Sequence, residues 1–340
     1  MEKFRINLQL FADPNTQTTE LSTVGNNLSP EMKTFYSKDL IEMLGANLVH
    51  LQFGDPVSLP KHGGKTIEWR KWTKFEKALN PLEEGVTPNG TPIDVGTVTA
   101  RIFQYGDYTT VSDLLEMTAI DNVIVEVTSK HAENARLTLD TVVRNKLVAG
   151  TNVLWADNPD GTKVESRKAL TKDCKLTLDM IARAAATLKK ANAPKIDGSY
   201  VAIVHPSVAY DLMRSEEWID VNKYSNATKI FNGEIGKLYG VRFVETTEAA
   251  IFSGENGGAG GIAIYATLFL GKGAYKVVKL DSNNLEVIVK NRGSSGTSDP
   301  LDQRSTIGWK AIGFGAEIAI PEYIVRVESG SYFSDEDKAN

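Results

Sequence analysis

The sequence predicts an α+β chain in which extended, partner-seeking segments precede one long helix and an inserted mixed α/β domain. Three observations predict it. Residues 61–111 read as two strands separated by a long stretch rich in Pro, Gly, Glu and Asn. Residues 123–148 keep a helical pattern with no breaker. Residues 151–300 alternate short apolar strands with helices, and strand-like runs return after residue 301.

The elements follow in order. The first thirty residues are polar, run without period from Thr16 to Pro30, and read as an arm. Pro30 and Glu31 open a helix through about Val49, carried by Met32, Phe35, Tyr36, Leu40, Met43 and Leu44. Gly54, Asp55 and Pro56 break it. Thr66–Arg70 and Thr97–Phe103 alternate as strands. Pro81, Gly85, Pro88, Gly90 and Pro92 lie between them, so the pair reads as a two-stranded arm with a loose tip. Such a ribbon is marginal in water and has two open edges, so a neighbouring copy is the cheapest surface for it to lie on.

Ser112 and Asp113 can cap a stretch from Leu114 to Ile120. Asp121 can cap Val123–Val148, with Gly150 as its terminating glycine. Val123–Val127 has strand propensity, but the continuation through His131, Ala135, Thr138, Val142 and Lys146 decides for helix. Beyond it come a helix from Leu176 to Asn192, a buried strand Tyr200–Val204 and a helix opened by His205-Pro206. Gly240–Thr246, Ile262–Leu268, Tyr275–Leu280 and Leu285–Lys290 read as strands, the middle two joined by a hairpin turn at Gly271-Lys272-Gly273. Ser305–Ile320 and Tyr323–Glu328 are strand-rich and are expected beside the ribbon base and the long helix. The acidic tail reads as frayed.

Composition sets limits on chemistry. Apolar residues are 41% and charged residues 24%, which excludes wholesale disorder. Cys174 is the single cysteine, so no intrachain disulfide or Cys-based zinc site is expected. The net charge of −5 argues against a protein dedicated to neutralising phosphates. No run reaches the ~18 apolar residues of a membrane span.

Catalytic patterns fail one by one. Gly271-Lys272-Gly273 lacks the Ser or Thr and the upstream glycine of a phosphate loop. Gly258-Ala259-Gly260 fails the dinucleotide pattern because residue 263 is alanine. There is no G-x-S-x-G, no H-E-x-x-H, and His62-Gly63-Gly64 has no matching serine. His205 reads as a helix cap and His131 as a packed helix residue. Glu83-Glu84 and Glu216-Glu217 read as solvated pairs, and Cys174 as inert. Catalytic residues, metal ligands and cofactors are therefore expected to be absent.

One charge feature stands out. Lys61, Lys65, Arg70, Lys71, Lys74 and Lys77 interleave with Trp69, Trp72 and Phe75. Basic plus aromatic suits single-stranded nucleic acid. It equally suits a clamp on an acidic, partly apolar protein neighbour. The acidity of the whole chain favours the clamp, because another copy supplies the acidic surface.

Three segments carry a resemblance. Asn7-Leu8-Gln9-Leu10-Phe11-Ala12 is similar to the opening of many tailed-phage head proteins. Gly233–Thr246 resembles the G-x-I-G-x-x-x-G stretch of major capsid proteins. Asp299-Pro300-Leu301-Asp302-Gln303-Arg304, continuing through Gly308-Trp309-Lys310, resembles the D-P-L-x-Q-R-x-x-x-G-W-K block of the capsid family typified by coliphage N-four. The element order resembles the Hong-Kong-97-like coat fold.

That resemblance implies a virion protein, made in the host bacterial cytoplasm, that self-assembles into pentamers and hexamers of an icosahedral head around double-stranded DNA. It implies portal, scaffold and possible decoration proteins as partners, no sequence-specific DNA contact and no membrane. It divides the chain into an arm and first helix (1–60), an extended loop (61–111), a peripheral domain with the spine helix (112–150 and 301–330), an axial domain (151–300) and an acidic tail (331–340). An encapsulin-like cellular shell is the alternative, and a cytoplasmic α/β enzyme a more distant one.

Overall fold

The computed structural model describes residues 16–17, 49–60, 62–72, 75–79, 81, 84–85, 87, 90–119, 123–215, 218, 234–280, 285–294 and 299–340. The helix expected from Pro30 through about Val49 lies outside these residues except for Val49, the first residue of the four-residue α1 (Val49–Gln52).

The first sheet is built around one strand, β14 (Arg304–Ile318), of 15 residues. β5 (Phe103–Ser112) pairs antiparallel along one side of it. The other side is shared by β13 (Glu286–Lys290) and β12 (Tyr275–Leu280). β2 (Asp55–Leu59) adds in parallel to β12, and β1 (Thr16–Gln17) in parallel to β5. The ribbon is a separate two-stranded sheet of β3 (Thr66–Trp72) and β4 (Val95–Arg101). Gly313 has φ +72 at the register shift between Ile312 and Phe314, a left-handed bulge that bends β14 beside the ribbon base.

The second sheet runs β6 (Val153–Trp155), β15 (Ile324–Ser329), β11 (Ile264–Leu270), β7 (Tyr200–Val204), β9 (Val241–Glu245) and β8 (Glu234–Leu238), with β10 (Ile251–Phe252) also on β11. β7 and β11 are buried along their whole length, which explains their unbroken apolar reading.

The long helix α3 (Val123–Val148, 26 residues) spans ~39 Å at 1.5 Å per residue and lies along β14. Its buried stripe Ala135, Leu139, Val143 and Leu147 repeats every fourth residue. The stripe packs in one cluster with Trp309, Ala311 and Phe314 of the first sheet and Val201, Ile203, Leu268 and Leu270 of the second. The opposite face of the second sheet presents Tyr200, Ala202, Phe243, Tyr265 and Phe269 to α4 (Leu178–Lys190) and α5 (Pro206–Met213). The layers are sheet, long helix, sheet, short helices.

Strand pairing crosses the boundary expected at residue 300. β12 and β13 belong to the first sheet, and β15 to the second. Gly271-Lys272-Gly273 is accordingly no hairpin but a passage between sheets. A second passage, between β14 and β15, returns beside it. The two are tied, since Gly271 N donates to Tyr323 O at 2.9 Å and Ala319 N to Ala274 O at 2.9 Å. Adjacent strands in sequence do not pair here because β11 is already flanked by β7 and β15.

Local capping follows the sequence. Ser112 accepts from Leu115 N at the start of α2 (Asp113–Thr118), and His205 accepts from Ser207 N at the start of α5. Asp121 lies outside the described residues, and Gly150 is not left-handed. The helix opened by His205-Pro206 ends at Met213.

The tail corrects a further expectation. It is docked, not frayed, because its polar groups complete open ends of the second sheet. Ala263 N donates to Asp335 O at 2.8 Å, and Tyr265 Oη donates to Asp337 Oδ2 at 2.6 Å. Ile251 N donates to Asn340 Oδ1 at 3.1 Å, and the buried Arg144 donates to Asn340 O at 2.7 Å. The hydrogen bond from Tyr265 is the main reason that Asp337 titrates below the usual carboxylate range, while burial pushes Tyr265 up to about 12.

Two predictions follow from these contacts. Trp309 is 3% exposed, and its Nε1 donates to Asn134 Oδ1 of α3 at 2.9 Å. Trp309→Ala should destabilise the subunit by ~3–5 kcal/mol in denaturant unfolding. Asp337, with a lowered folded value, contributes stability above the unfolded carboxylate value and loses it as pH falls through the folded one. Protection of residues 331–340 from hydrogen exchange, corrected for intrinsic rates, should fall in acid and in Asp337→Asn at neutral pH. Unchanged protection in both would contradict the latch.

Candidate functional site

The basic and aromatic residues of the ribbon divide by strand alternation. Ile67 and Trp69 face the body of the subunit and pack on Leu59, Ala100 and Val278. Lys276 Nζ sits 4.9 Å from the Trp69 ring centroid. Trp69 therefore anchors the ribbon to its own chain. Lys65, Arg70, Lys71 and Lys77 are exposed. Lys71 reaches Glu322 at 3.5 Å, a pair too exposed to hold the ribbon. Lys61 and Lys74 lie outside the described residues.

The outward aromatics are Trp72 and Phe75, 60% and 61% exposed. Leu79 and Ile93, nearer the tip in sequence, are exposed as well. With strands of seven residues each, the ribbon spans roughly 23 Å at ~3.3 Å per residue.

The block at 299–310 plays a different part. Asp299 is buried, accepts from Arg304 N at 2.8 Å and lies 3.8 Å from Arg304 Nε, so it closes the turn that launches β14. Pro300 is exposed within that turn, and Gln303 O accepts from Asp113 N at 2.9 Å. Gly308 is required by close strand approach, since a Cβ there would stand 2.6 Å from Asp107 O and 2.7 Å from Tyr108 Cβ. Trp309 faces α3, while Lys310 is half-buried on the opposite face of the sheet. These residues build the sheet and the spine contact.

Sequence reasoning missed the buried polar clusters. His50 Nδ1 lies 2.6 Å from Asp140 Oδ2, and His50 N donates to Asp140 Oδ1, both wholly buried. Tyr275 Oη donates to His50 O. The cluster pins α1 to the long helix and to β12. Glu328, fully buried, takes Arg167 at 2.6 and 2.8 Å, Arg326 at 2.9 Å and Trp155 Nε1 at 3.1 Å. Arg167 also stacks over Phe252, 3.5 Å from the ring centroid. Partners up to 225 positions apart carried no spacing signal. Neither cluster opens onto a nucleophile. Among the described residues no three His, Cys, Asp or Glu side chains gather as metal ligands, and no helix is long and apolar enough to cross a membrane. Cys174 is buried, with its Sγ 3.1 Å from Asn158 Oδ1.

The comparisons with known proteins settle the family. Residues 95–327 match the family model described as "Phage capsid protein", which spans well over half of the chain. The chain belongs to the phage capsid protein family. It is a phage capsid protein, and its place is the virion. No curated protein matches it. Solved capsids share its fold at low identity. The cyanophage Pam1 capsid aligns with a TM-score of 0.63 at 12% identity, covering 94% of this chain and 100% of that one. The Ralstonia phage GP4 capsid aligns at 0.62 and 12%, covering 99% and 100%. The cyanophage P-SCSP1u capsid aligns at 0.61 and 15%, covering 97% and 100%. The fold of this capsid protein is thus Hong-Kong-97-like, and the family match does not favour the encapsulin-like alternative. Of the three resembling segments, Asn7–Ala12 and Gly233 lie outside the described residues. Glu234–Thr246 forms the β8–β9 hairpin, whose turn residues Tyr239 and Gly240 both have positive φ.

The Glu328 cluster yields a prediction independent of assembly. Arg167→Ala leaves a buried carboxylate short of its best-placed cation and should cost about 3 kcal/mol in subunit unfolding. A loss below ~0.5 kcal/mol would mean that Arg326 suffices alone.

Proposed function

We infer that copies of this chain build the pentamers and hexamers of an icosahedral head, each copy laying its ribbon on a neighbour. The observation that carries this is the ribbon itself, with Trp72 and Phe75 uncovered and Lys65, Arg70, Lys71 and Lys77 around them. Trp69 supports the contact from behind, by fixing the ribbon's angle to the body. Lys61 and Lys74 belong to the same basic surface by sequence. Residues 61–111 act as the extended loop, 112–150 carry the spine helix, and the helices and second sheet within 151–300 form the axial domain. β12 and β13 serve the peripheral domain and β15 the axial one, in keeping with their pairing.

The chain acts as structure, not as a catalyst. It encloses double-stranded DNA without reading sequence, and its net charge of −5 leaves few phosphates neutralised, so packed DNA can slide. Portal, scaffold and decoration proteins are its further partners. Many modest contacts suffice, since multivalency sums them over a closed shell.

The test is expression of the chain with its scaffold, followed by negative-stain microscopy and light scattering. Regular closed particles are expected. Replacing both Trp72 and Phe75 by Ala should leave the subunit's circular dichroism and melting unchanged and reduce particle yield roughly tenfold or more, as loss of two interface anchors implies. Equal yield and equal heat stability of the particles would remove the ribbon from assembly.

A further inference from the structure

The first sheet ends in an edge that can take a further strand. β13 (Glu286–Lys290) pairs with β14 on one side, without a register shift. Among the described residues no strand takes its other side. Its sequence, Glu-Val-Ile-Val-Lys, holds no proline or glycine. The strand at the far edge of the same sheet, β2, carries Pro56, which has no N–H to offer. Val287, Ile288 and Val289 are 38%, 39% and 36% exposed, three consecutive β-branched residues on an edge. An apolar edge of this kind is a template for pairing with another chain.

We propose that β13 pairs antiparallel with β13 of a second copy, with Ile288 of both chains on a shared two-fold axis. The strand is complementary to itself in that register. Glu286 of each copy stands opposite Lys290 of the other, and Val287 opposite Val289. Opposite residues share a face, so apolar meets apolar and anion meets cation. A parallel in-register pairing sets Glu286 beside Glu286 and Lys290 beside Lys290, and a slip of one residue sets Lys290 opposite Val287. Val287 and Val289 lie on the face of Trp309 and Ile307, which packs toward α3. The four valines of a pair continue that apolar face from one subunit into the next. Resting on the reading that copies form the rings of a shell, this pairing joins one ring to another. Neighbours within a ring are related by the ring's rotation and meet through unlike surfaces. A surface that meets itself is isologous and joins two copies only.

A cysteine at the axis tests the pairing. Opposite residues of an antiparallel pair have Cα atoms ~4.5–5.5 Å apart, within disulfide reach, whereas diagonal neighbours are ~7–8 Å apart. Full chains carrying the variants are assembled with the scaffold, and the particles are oxidised and run on a non-reducing denaturing gel. Dimers are expected from Ile288→Cys and from Val287→Cys combined with Val289→Cys. None are expected from Val287→Cys alone, whose two copies are diagonal, or from wild type, whose Cys174 is buried. Regular Ile288→Cys particles without dimers, or dimers equally from Val287→Cys alone, would overturn the pairing and leave the shell reading intact. Absence of particles from the wild-type chain with its scaffold would instead overturn the shell reading on which the pairing rests. A charge exchange decides independently. All its variants carry Lys310→Gln, because Lys310 is the register partner of Glu286 on β14. Lys290→Glu sets like charges opposite each other and should lower particle yield roughly fivefold at unchanged subunit melting. Adding Glu286→Lys restores opposite charges and should return the yield. No loss in the first, or no recovery in the second, would count against the pairing even if the cysteine variants failed to assemble.

Discussion

The subunit depends on a single helix serving as core for two sheets. The stripe Ala135, Leu139, Val143 and Leu147 meets Trp309 and Phe314 on one side and Ile203, Leu268 and Leu270 on the other. Neither sheet could bury those inner faces without it. The charged side chains of the helix serve the same end. Asp140 fastens the entering chain through His50, and Arg144 fastens the docked tail through Asn340. One element thus gathers α1, both sheets and the last residues.

Much of this was legible in the sequence. The long helix ends at Val148, as its unbroken pattern from Val123 implies. The strand Tyr200–Val204, the His205 cap and the Ser112 cap appear where side-chain chemistry places them. Local rules decide local structure, and these are local features. What the sequence concealed was pairing. Tyr275–Leu280 follows Ile264–Leu270 by a short turn, and adjacency alone suggests a hairpin. The choice of partner depends on which edges are already taken, and no short window contains that information.

The candidate surface shows the same division. Composition marked the ribbon as basic and aromatic, but not which rings faced outward. Alternation along β3 decides this by sending Trp69 inward and Trp72 outward. The tail was misjudged because acidic residues in isolation read as solvated. Asp337 becomes a structural residue only through Tyr265, 72 positions away. The buried polar clusters were silent for the same reason. His50 and Asp140, or Arg167 and Glu328, are unremarkable until the fold brings them together and excludes water.

The paired passages between the sheets bear on mechanics. A chain that crossed once between two bodies would leave them free to swivel about that strand. Here two crossings run side by side and are hydrogen-bonded to each other, through Gly271 with Tyr323 and Ala274 with Ala319. Such a junction resists both twist and opening, in the way two rivets hold a joint that one would let turn. Force that crosses this joint in a capsid is shared by both crossings. The subunit then transmits the load as one stiff plate, and any yielding falls to the contacts between plates.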